Sequence, residues 1–146
     1  MADNSLLSLD NIQMPFSAEA EQAVLGSILV DPSCLSQAAV YITPEAFYLP
    51  QHSAIFAAMI TIDASGKIID PLVILDLLVQ QGVYDNGSGR NYLFELAQMV
   101  PSTENVEMYA KIVREKFYMR TLIGISSETI ESAVAQRLIT NRVSFV

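Results

Sequence analysis

Apolar residues recur along this chain at spacings of three and four, which is the period of an amphipathic α-helix. In the segment "AEAEQAVLGSILV" this spacing places four residues on one face: Val24, Leu25, Ile28 and Leu29. Further segments repeat the pattern, and none of them alternates apolar and polar residues as a half-buried strand does. The chain is therefore predicted to be all-α.

Proline, glycine and small polar residues mark the expected ends of these helices. Ser17 is predicted to cap the first helix, and Pro50 and Pro71 to occupy the first turns of later ones. The stretch "YDNGSG" is interpreted as a loop, and Ser102 or Thr103 as the cap of the last helix. Residues 15–100 are predicted to form a compact multi-helix head, preceded by a flexible arm at residues 1–14.

The last helix is predicted over residues 101–135 and is expected to project. Its apolar stripe drifts backwards in the manner of a seven-residue repeat, which suits pairing with another helix at a shallow left-handed crossing. A second apolar face begins at Tyr118, so one neighbour is expected to be another chain. The predicted inter-subunit contacts are Tyr118, Leu122, Ile125, Val113 and Phe117. Packing of Tyr118, Leu122 and Ile125 onto the chain's own head is the open alternative.

Composition favours self-association. Apolar residues make up 51% of the 146 residues, whereas charged residues make up 16%, against a usual share of about 25%. A surface with so little charge suggests that a partner covers part of it. The absence of a signal-like segment and of a run long enough to span a bilayer predicts a cytoplasmic protein without membrane contacts.

The net charge of −8 argues against strong binding to nucleic-acid phosphates, which depends on many lysine and arginine contacts. The basic residues concentrate between Met108 and Arg120, but they do not share one side of the helix. Arg120 falls on the apolar stripe and must therefore be paired or reach water along its stem. A single-stranded nucleic-acid-binding module stays as the alternative function, although it would need a basic groove interleaved with exposed aromatic residues.

The sequence offers little catalytic chemistry. His52 and Cys34 are each the only residue of their kind, and both are interpreted as structural rather than as metal ligands. "NGSGR" at Asn86–Arg90 is rich in glycine but lacks the lysine of a phosphate-binding loop, so a flexible loop is predicted there. No enzymatic activity and no cofactor or metal are expected for this chain alone.

Four stretches, in this order, resemble the amino-terminal domain of the DnaB-type bacterial replicative DNA helicases. They are "EAEQAVLGSIL" at Glu19–Leu29, "PEAFYLPQHSAIFAAM" at Pro44–Met59, "IDPLVILDLL" at Ile69–Leu78 and "YLFELAQMVPSTENVEMYAKIVREKFYMRTLI" at Tyr92–Ile123. The resemblance fades near Ser132. Residues 136–146 are therefore interpreted as an atypical tail, either truncated or foreign.

The resemblance implies a six-helix head followed by a helical hairpin, of which the long projecting helix would be the first arm. Hairpins of adjacent subunits would pair into dimers, and three dimers would form the collar of a hexamer, where primase docks. Glu19, Tyr92 and Ile123 are the implied primase-docking candidates. The alternative for Glu19 is an acid in the first turn of its helix, and for Tyr92 it is a packing aromatic. The alternative for Ile123 is a place in the apolar stripe of the hairpin.

The resemblance also implies a full-length parent that is an ATP-dependent DNA helicase of the bacterial cytoplasm. ATP and magnesium would bind in a motor domain that this chain lacks, and DNA would be contacted only through that domain. The expected partners of the chain itself are further copies of itself and primase, with a helicase loader as another candidate.

Overall fold

The computed structural model describes residues 13–144, with side chains described as far as residue 137. The helices are α1 (Ala18–Val30), α2 (Cys34–Ala39), α3 (Pro50–Ala64), α4 (Pro71–Gln80), α5 (Asn86–Met99) and α6 (Val106–Ser144), with a short 3-10 turn at Pro44–Ala46. No strand occurs in this described part of the chain. The predicted all-α fold is confirmed.

The chain divides into two units. Phe16–Phe117 form one compact unit, called here the head unit, and the described residues on either side of it, 13–15 and 118–144, belong to the other. The predicted division into arm, head, hairpin and tail stays a prediction, because most of the arm lies outside the described residues.

The core of the head unit is built from the apolar stripes of α1, α3, α4, α5 and the first turns of α6. Its fully buried side chains include Leu25, Ile28, Ile55, Phe56, Met59, Ile74, Leu78, Leu96 and Val106. Helix α1 crosses α5 at Gly26, where an added Cβ would clash with the Leu96 carbonyl oxygen. Only a glycine permits backbones to approach so closely. The tight α1–α5 contact therefore depends on this residue.

Several predicted helix ends are confirmed. The Ser17 side chain accepts a hydrogen bond from the Ala20 N–H of α1, and Pro50 and Pro71 open α3 and α4. Gly66 and Gly82 follow α3 and α4 with φ of +77° and +73°, a conformation that side-chain-bearing residues rarely adopt.

The predicted loop at Asn86–Arg90 is wrong, because these residues form the first turns of α5. Asp85 caps the helix by accepting the Ser88 N–H at 2.8 Å, and this hydrogen bond lowers the pKa of the Asp85 carboxyl. Gly89 is buried, and an added Cβ there would lie 2.6 Å from Leu75 Cδ1. The glycine that suggested flexibility instead allows α5 to pack closely on α4.

The predicted cap of the last helix is also wrong. Helix α6 begins at Val106, and the carbonyl of Asn105 accepts the Tyr109 N–H. Ser102 instead accepts the Glu104 N–H at 3.2 Å. It therefore stabilises the turn before α6 rather than the helix end itself.

Candidate protein-interaction site

Helix α6 presents apolar side chains to solvent beyond the head unit. Tyr118, Leu122 and Ile125 are 60%, 66% and 57% exposed in the single chain. At about 100° per residue their positions fall within an arc of about 60° on the helix surface. These three residues form a surface that we call the α6 face.

The charges near the α6 face are few. From Thr121 to Gln136 the only charged residues are Glu128 and Glu131, while Ile130 and Val134 add further exposed apolar surface. Scattered apolar residues are normal on a protein surface, but a sustained apolar helix with little charge indicates an interaction surface.

Val113 and Phe117 belong to the head unit. Val113 is 2% exposed and lies in the core cluster, and Phe117 is partly buried against the same core. The chain itself therefore already covers Val113, and we leave this residue out of the proposed contact surface. The apolar stripe of α6 that predicts Val113 as an inter-subunit contact is the stripe that the head unit uses for its own core.

Arg120 is paired, in agreement with the expectation from its place on the apolar stripe. Its Nη1 donates a hydrogen bond to the Pro15 carbonyl oxygen at 2.9 Å. A hydrogen bond from a charged donor is shorter and stronger than one between neutral groups. The guanidinium therefore serves a contact within the chain.

Two other basic residues lie on an aromatic ring. The Lys111 ammonium and the Arg114 guanidinium are 5.2 Å and 5.0 Å from the centre of the Tyr41 ring, distances at which a cation is attracted to the ring face. These charges also serve contacts within the chain.

A buried polar network joins α1, α3 and α5. Glu21 and His52 are each 1% exposed, and the Glu21 Oε1 lies 2.8 Å from the His52 Nδ1. The Glu21 carboxylate also accepts the backbone N–H groups of Tyr48 and Leu49. Because every buried polar group here has a partner, the network holds the three helices without an unpaired charge.

Tyr92 continues this network towards the surface. Its hydroxyl lies 2.5 Å from the His52 Nε2 and accepts a hydrogen bond from the Gln22 Nε2 at 3.4 Å. Since the carboxylate of Glu21 can only accept, His52 donates from Nδ1 and accepts the Tyr92 hydroxyl at Nε2 when the imidazole is neutral. Tyr92 thus packs as an aromatic residue while its hydroxyl is held in place.

The ring of Tyr92 also stacks on that of Tyr84, with centroids 6.0 Å apart. Desolvation raises the pKa of the Tyr84 hydroxyl, and the neighbouring Tyr92 raises it further. The Tyr84 hydroxyl therefore stays protonated at neutral pH.

Glu19 lies at the rim of a cavity of about 280 Å³ in the head unit. The cavity is lined by Glu19, Gln22, Ala23, Met99, Val100, Pro101 and Tyr109. Gln22 connects this hollow to Tyr92 through its amide, so two primase-docking candidates belong to one region. Ile123, the third, is half-buried and belongs to the other unit.

The role of Glu21 was not predicted from the sequence. A signal was present, because Glu21 shares the apolar face of α1 with Val24 and Ile28 at helical spacing. An acid at such a position requires a buried partner. The structural role expected for His52 is consistent with its place beside this acid.

Cys34 is buried, and its Sγ lies 3.8 Å from the Thr103 carbonyl oxygen. Burial raises the pKa of the thiol, and the neighbouring Asp31 carboxylate raises it further. The thiol is therefore protonated at neutral pH. Within the described residues, no group of His, Cys, Asp and Glu is arranged to hold a metal ion.

No helix in the part of the chain that the structure describes is long and apolar enough to cross a membrane. A helical core, an exposed apolar helix face and a satisfied buried network together define an all-helical domain. The sequence profile of the DnaB-like helicase N-terminal domain matches residues 13–115. The chain belongs to this family.

Individual relatives agree with this assignment. The chain is 42% identical over 109 residues to the replicative DNA helicase DnaB of Geobacillus stearothermophilus, a match that covers 75% of this chain and 24% of that protein. The chain thus spans about a quarter of the length of this relative.

Solved structures match as well. The N-terminal domain of DnaB helicase from Mycobacterium tuberculosis is similar with a TM-score of 0.80 and 28% identity, over 84% of this chain and 85% of that one. A DnaB-like replicative helicase, described with its interactions with primase, is similar with a TM-score of 0.68 and 31% identity. That match covers 85% of this chain and 30% of the helicase chain.

Proposed function

We propose that this chain is the N-terminal interaction and oligomerisation domain of a replicative DNA helicase. In this proposal the α6 face joins two copies of the chain into a dimer. Three of these dimers then form the collar of a hexamer. The observation that carries the proposal is the exposure of Tyr118, Leu122 and Ile125 on one side of α6. Membership of the DnaB N-terminal domain family supports it.

The energetic argument rests on burial of the α6 face. Burying one large apolar side chain contributes about 1.5–3 kcal/mol. A two-fold contact uses the same patch on both copies, so each of the three side chains contributes twice. This gain can offset the rotational and translational entropy that association costs.

We extend the proposal to primase docking by the head unit. A related DnaB-like helicase is described with its interactions with primase, and Glu19 borders a concave surface with apolar lining. Glu19 and Tyr92 are the candidates for this contact on the head unit, and Ile123 is a separate candidate on the other unit.

The remaining parts of the proposal concern the full-length parent. It would unwind DNA in the bacterial cytoplasm with ATP and magnesium bound in a separate motor domain, and a helicase loader would be a further partner. The chain alone would not hydrolyse ATP. A nucleic-acid-binding role is less well supported, because Lys111, Arg114 and Arg120 all serve contacts within the chain.

The test is sedimentation velocity of the chain, alone and mixed with the helicase-binding domain of the cognate primase. The unmutated chain should sediment as a dimer or larger species and should co-sediment with the primase domain. Leu122→Glu should shift the chain to the monomer, because it places a charge in the apolar contact. Its circular dichroism spectrum should stay that of the unmutated chain.

Ala135→Glu is the matched control. Ala135 is exposed on α6 and lies about 100° from the middle of the α6 face, so the same charge there should leave the mass unchanged. An unmutated chain that is monomeric at all concentrations would overturn the self-association proposal. Failure to co-sediment with primase would overturn the docking proposal alone.

A further inference from the structure

Helix α4 is apolar on the side that faces away from the core as well as on the side that faces it. Ile74 and Leu78 are fully buried, whereas Leu72 is 63% exposed and Val79 is also exposed. Asp76 is the only charged residue in its ten positions. A helix on a protein surface normally carries charged or polar residues on its outer side. Helix α4 therefore has a face that its own chain leaves uncovered.

This face borders a groove between α4 and α5 of the head unit. One hollow of about 150 Å³ is lined by Pro71, Leu72, Leu75, Arg90, Leu93, Phe94 and Ala97. A second, of about 230 Å³, is lined by Leu72, Leu75, Asp76, Val79, Asn86 and Arg90. An apolar space of about 150 Å³ accommodates a group the size of a benzene ring. The two hollows share three residues, so they form a single groove that can take large apolar side chains.

Arg90 supplies the only basic group of this groove. It is one of two basic residues between Gln13 and Asn105, a stretch that contains ten Asp and Glu residues. Within the described residues, no carboxylate lies within 4.0 Å of its guanidinium. Asp76, which lines the same groove, instead accepts a hydrogen bond from the Gln80 Nε2 at 3.0 Å. The guanidinium of Arg90 is therefore available to an incoming acid.

We infer that the groove between α4 and α5 binds an amphipathic helix of another protein, one whose apolar stripe is flanked by a single Asp or Glu that pairs with Arg90. Two helices side by side offer a groove that fits the ridge of a third helix, with apolar anchors at spacings of three and four. The guanidinium matches a carboxylate in geometry as well as in charge.

The charges of the head unit limit what this partner can be. A partner with many acids would be repelled by the excess of Asp and Glu in the head unit, whereas one carboxylate placed at Arg90 is attracted over a short distance. A second copy of the chain docking on the same groove by two-fold symmetry would bring two Arg90 residues together, which is unfavourable. This inference does not rest on the proposed function, because none of its residues belongs to the α6 face.

The test uses a pair of capped helical peptides made of Leu, Ala and Gln, with leucines spaced three and four apart on one face. One peptide carries a single Glu beside that face, and the other carries Gln at the same position. The ¹H–¹⁵N spectrum of the full chain should shift at α4 and α5 when the Glu peptide is added. Fluorescence anisotropy should show about fivefold tighter binding of the Glu peptide, the upper range for an exposed ion pair.

Three variants separate the contributions. Arg90→Gln should remove the preference for the Glu peptide, and Leu72→Ser should weaken both peptides equally. Lys67→Gln changes the other basic residue of this stretch, which does not line the groove, and should alter neither result. The inference is overturned if the peptides do not bind, bind at other helices, or bind with equal affinity to the unmutated chain. It is also overturned if Leu72→Ser reduces the sedimenting mass of the chain without peptide, because the groove would then serve self-association.

Discussion

Ile28 on α1 and Ile125 on α6 are the same residue type in the same kind of helix, yet Ile28 is fully buried and Ile125 is 57% exposed. Ile28 belongs to the head unit, where it lies in the buried apolar core. Ile125 belongs to the part of α6 beyond Phe117, where the single chain leaves it facing solvent. The same apolar side chain therefore stabilises the fold in one region and is left exposed by the single chain in the other.

Polar groups follow a different rule in the two regions. In the head unit Glu21 and His52 are buried and fully hydrogen-bonded to each other, to backbone and to Tyr92. In the other unit the half-exposed Arg120 donates a hydrogen bond to the backbone carbonyl of Pro15. A buried ion depends on every one of its partners, whereas a half-exposed one retains water as an alternative. Substitutions in the two regions should thus lower the free energy of unfolding by very different amounts.

The largest effect is expected from Phe56→Ala in the head unit. Phe56 is fully buried and packs on Phe47 with ring centroids 5.0 Å apart, so truncation leaves a cavity. The free energy of unfolding, measured by urea titration, should fall by about 3–5 kcal/mol. The exposed Phe94 is the matched control, and Phe94→Ala should change it by less than about 0.5 kcal/mol. Equal losses from the two variants would contradict the assignment of the core.

The next effect is expected from His52→Leu. This variant leaves the Glu21 carboxylate buried without its imidazole partner, and the free energy of unfolding should fall by about 3 kcal/mol. Tyr92→Phe removes only the hydroxyl at the outer end of the network and should cost about 1 kcal/mol. A loss for His52→Leu no larger than that for Tyr92→Phe would show that the network does not stabilise the head unit.

The smallest effect is expected from Ile125→Ala on α6. At a protein concentration where the chain is monomeric, the free energy of unfolding should change by less than about 0.5 kcal/mol, because the side chain is exposed. Ile28→Ala, the same change in the core, should cost about 2–5 kcal/mol. A comparable loss for Ile125→Ala would mean that the chain itself uses this side chain for stability. The contrast between the two regions would then fail.

Local signals explain why much of the fold could be predicted. Ser17, Pro50, Pro71, Gly66 and Gly82 act on the backbone within one turn, so their effect is visible without knowing the rest of the chain. The stretch "NGSGR" misled for a related reason. Glycines are common in loops, and this local signal predicted one here. The close packing of Gly89 on Leu75 depends on a different helix, α4, so it is not visible in the stretch itself.

The candidate site was harder to predict. The spacing of Tyr118, Leu122 and Ile125 identified a second apolar face. Helical spacing alone could not show that Val113 is buried in the core of the head unit. Nor could it pair Glu21 with His52, because these residues are far apart in sequence and only the packing of α1 on α3 brings them together.

The sequence by itself determined the helical class, most of the helix ends and the family, because each depends on short-range spacing or on an ordered set of motifs. Only the tertiary structure decided which apolar residues are buried, which acid is paired with the histidine, and which arginine is left facing a groove. The physical reason is that burial and pairing are properties of contacts between helices, and identical residues acquire different roles when different neighbours surround them.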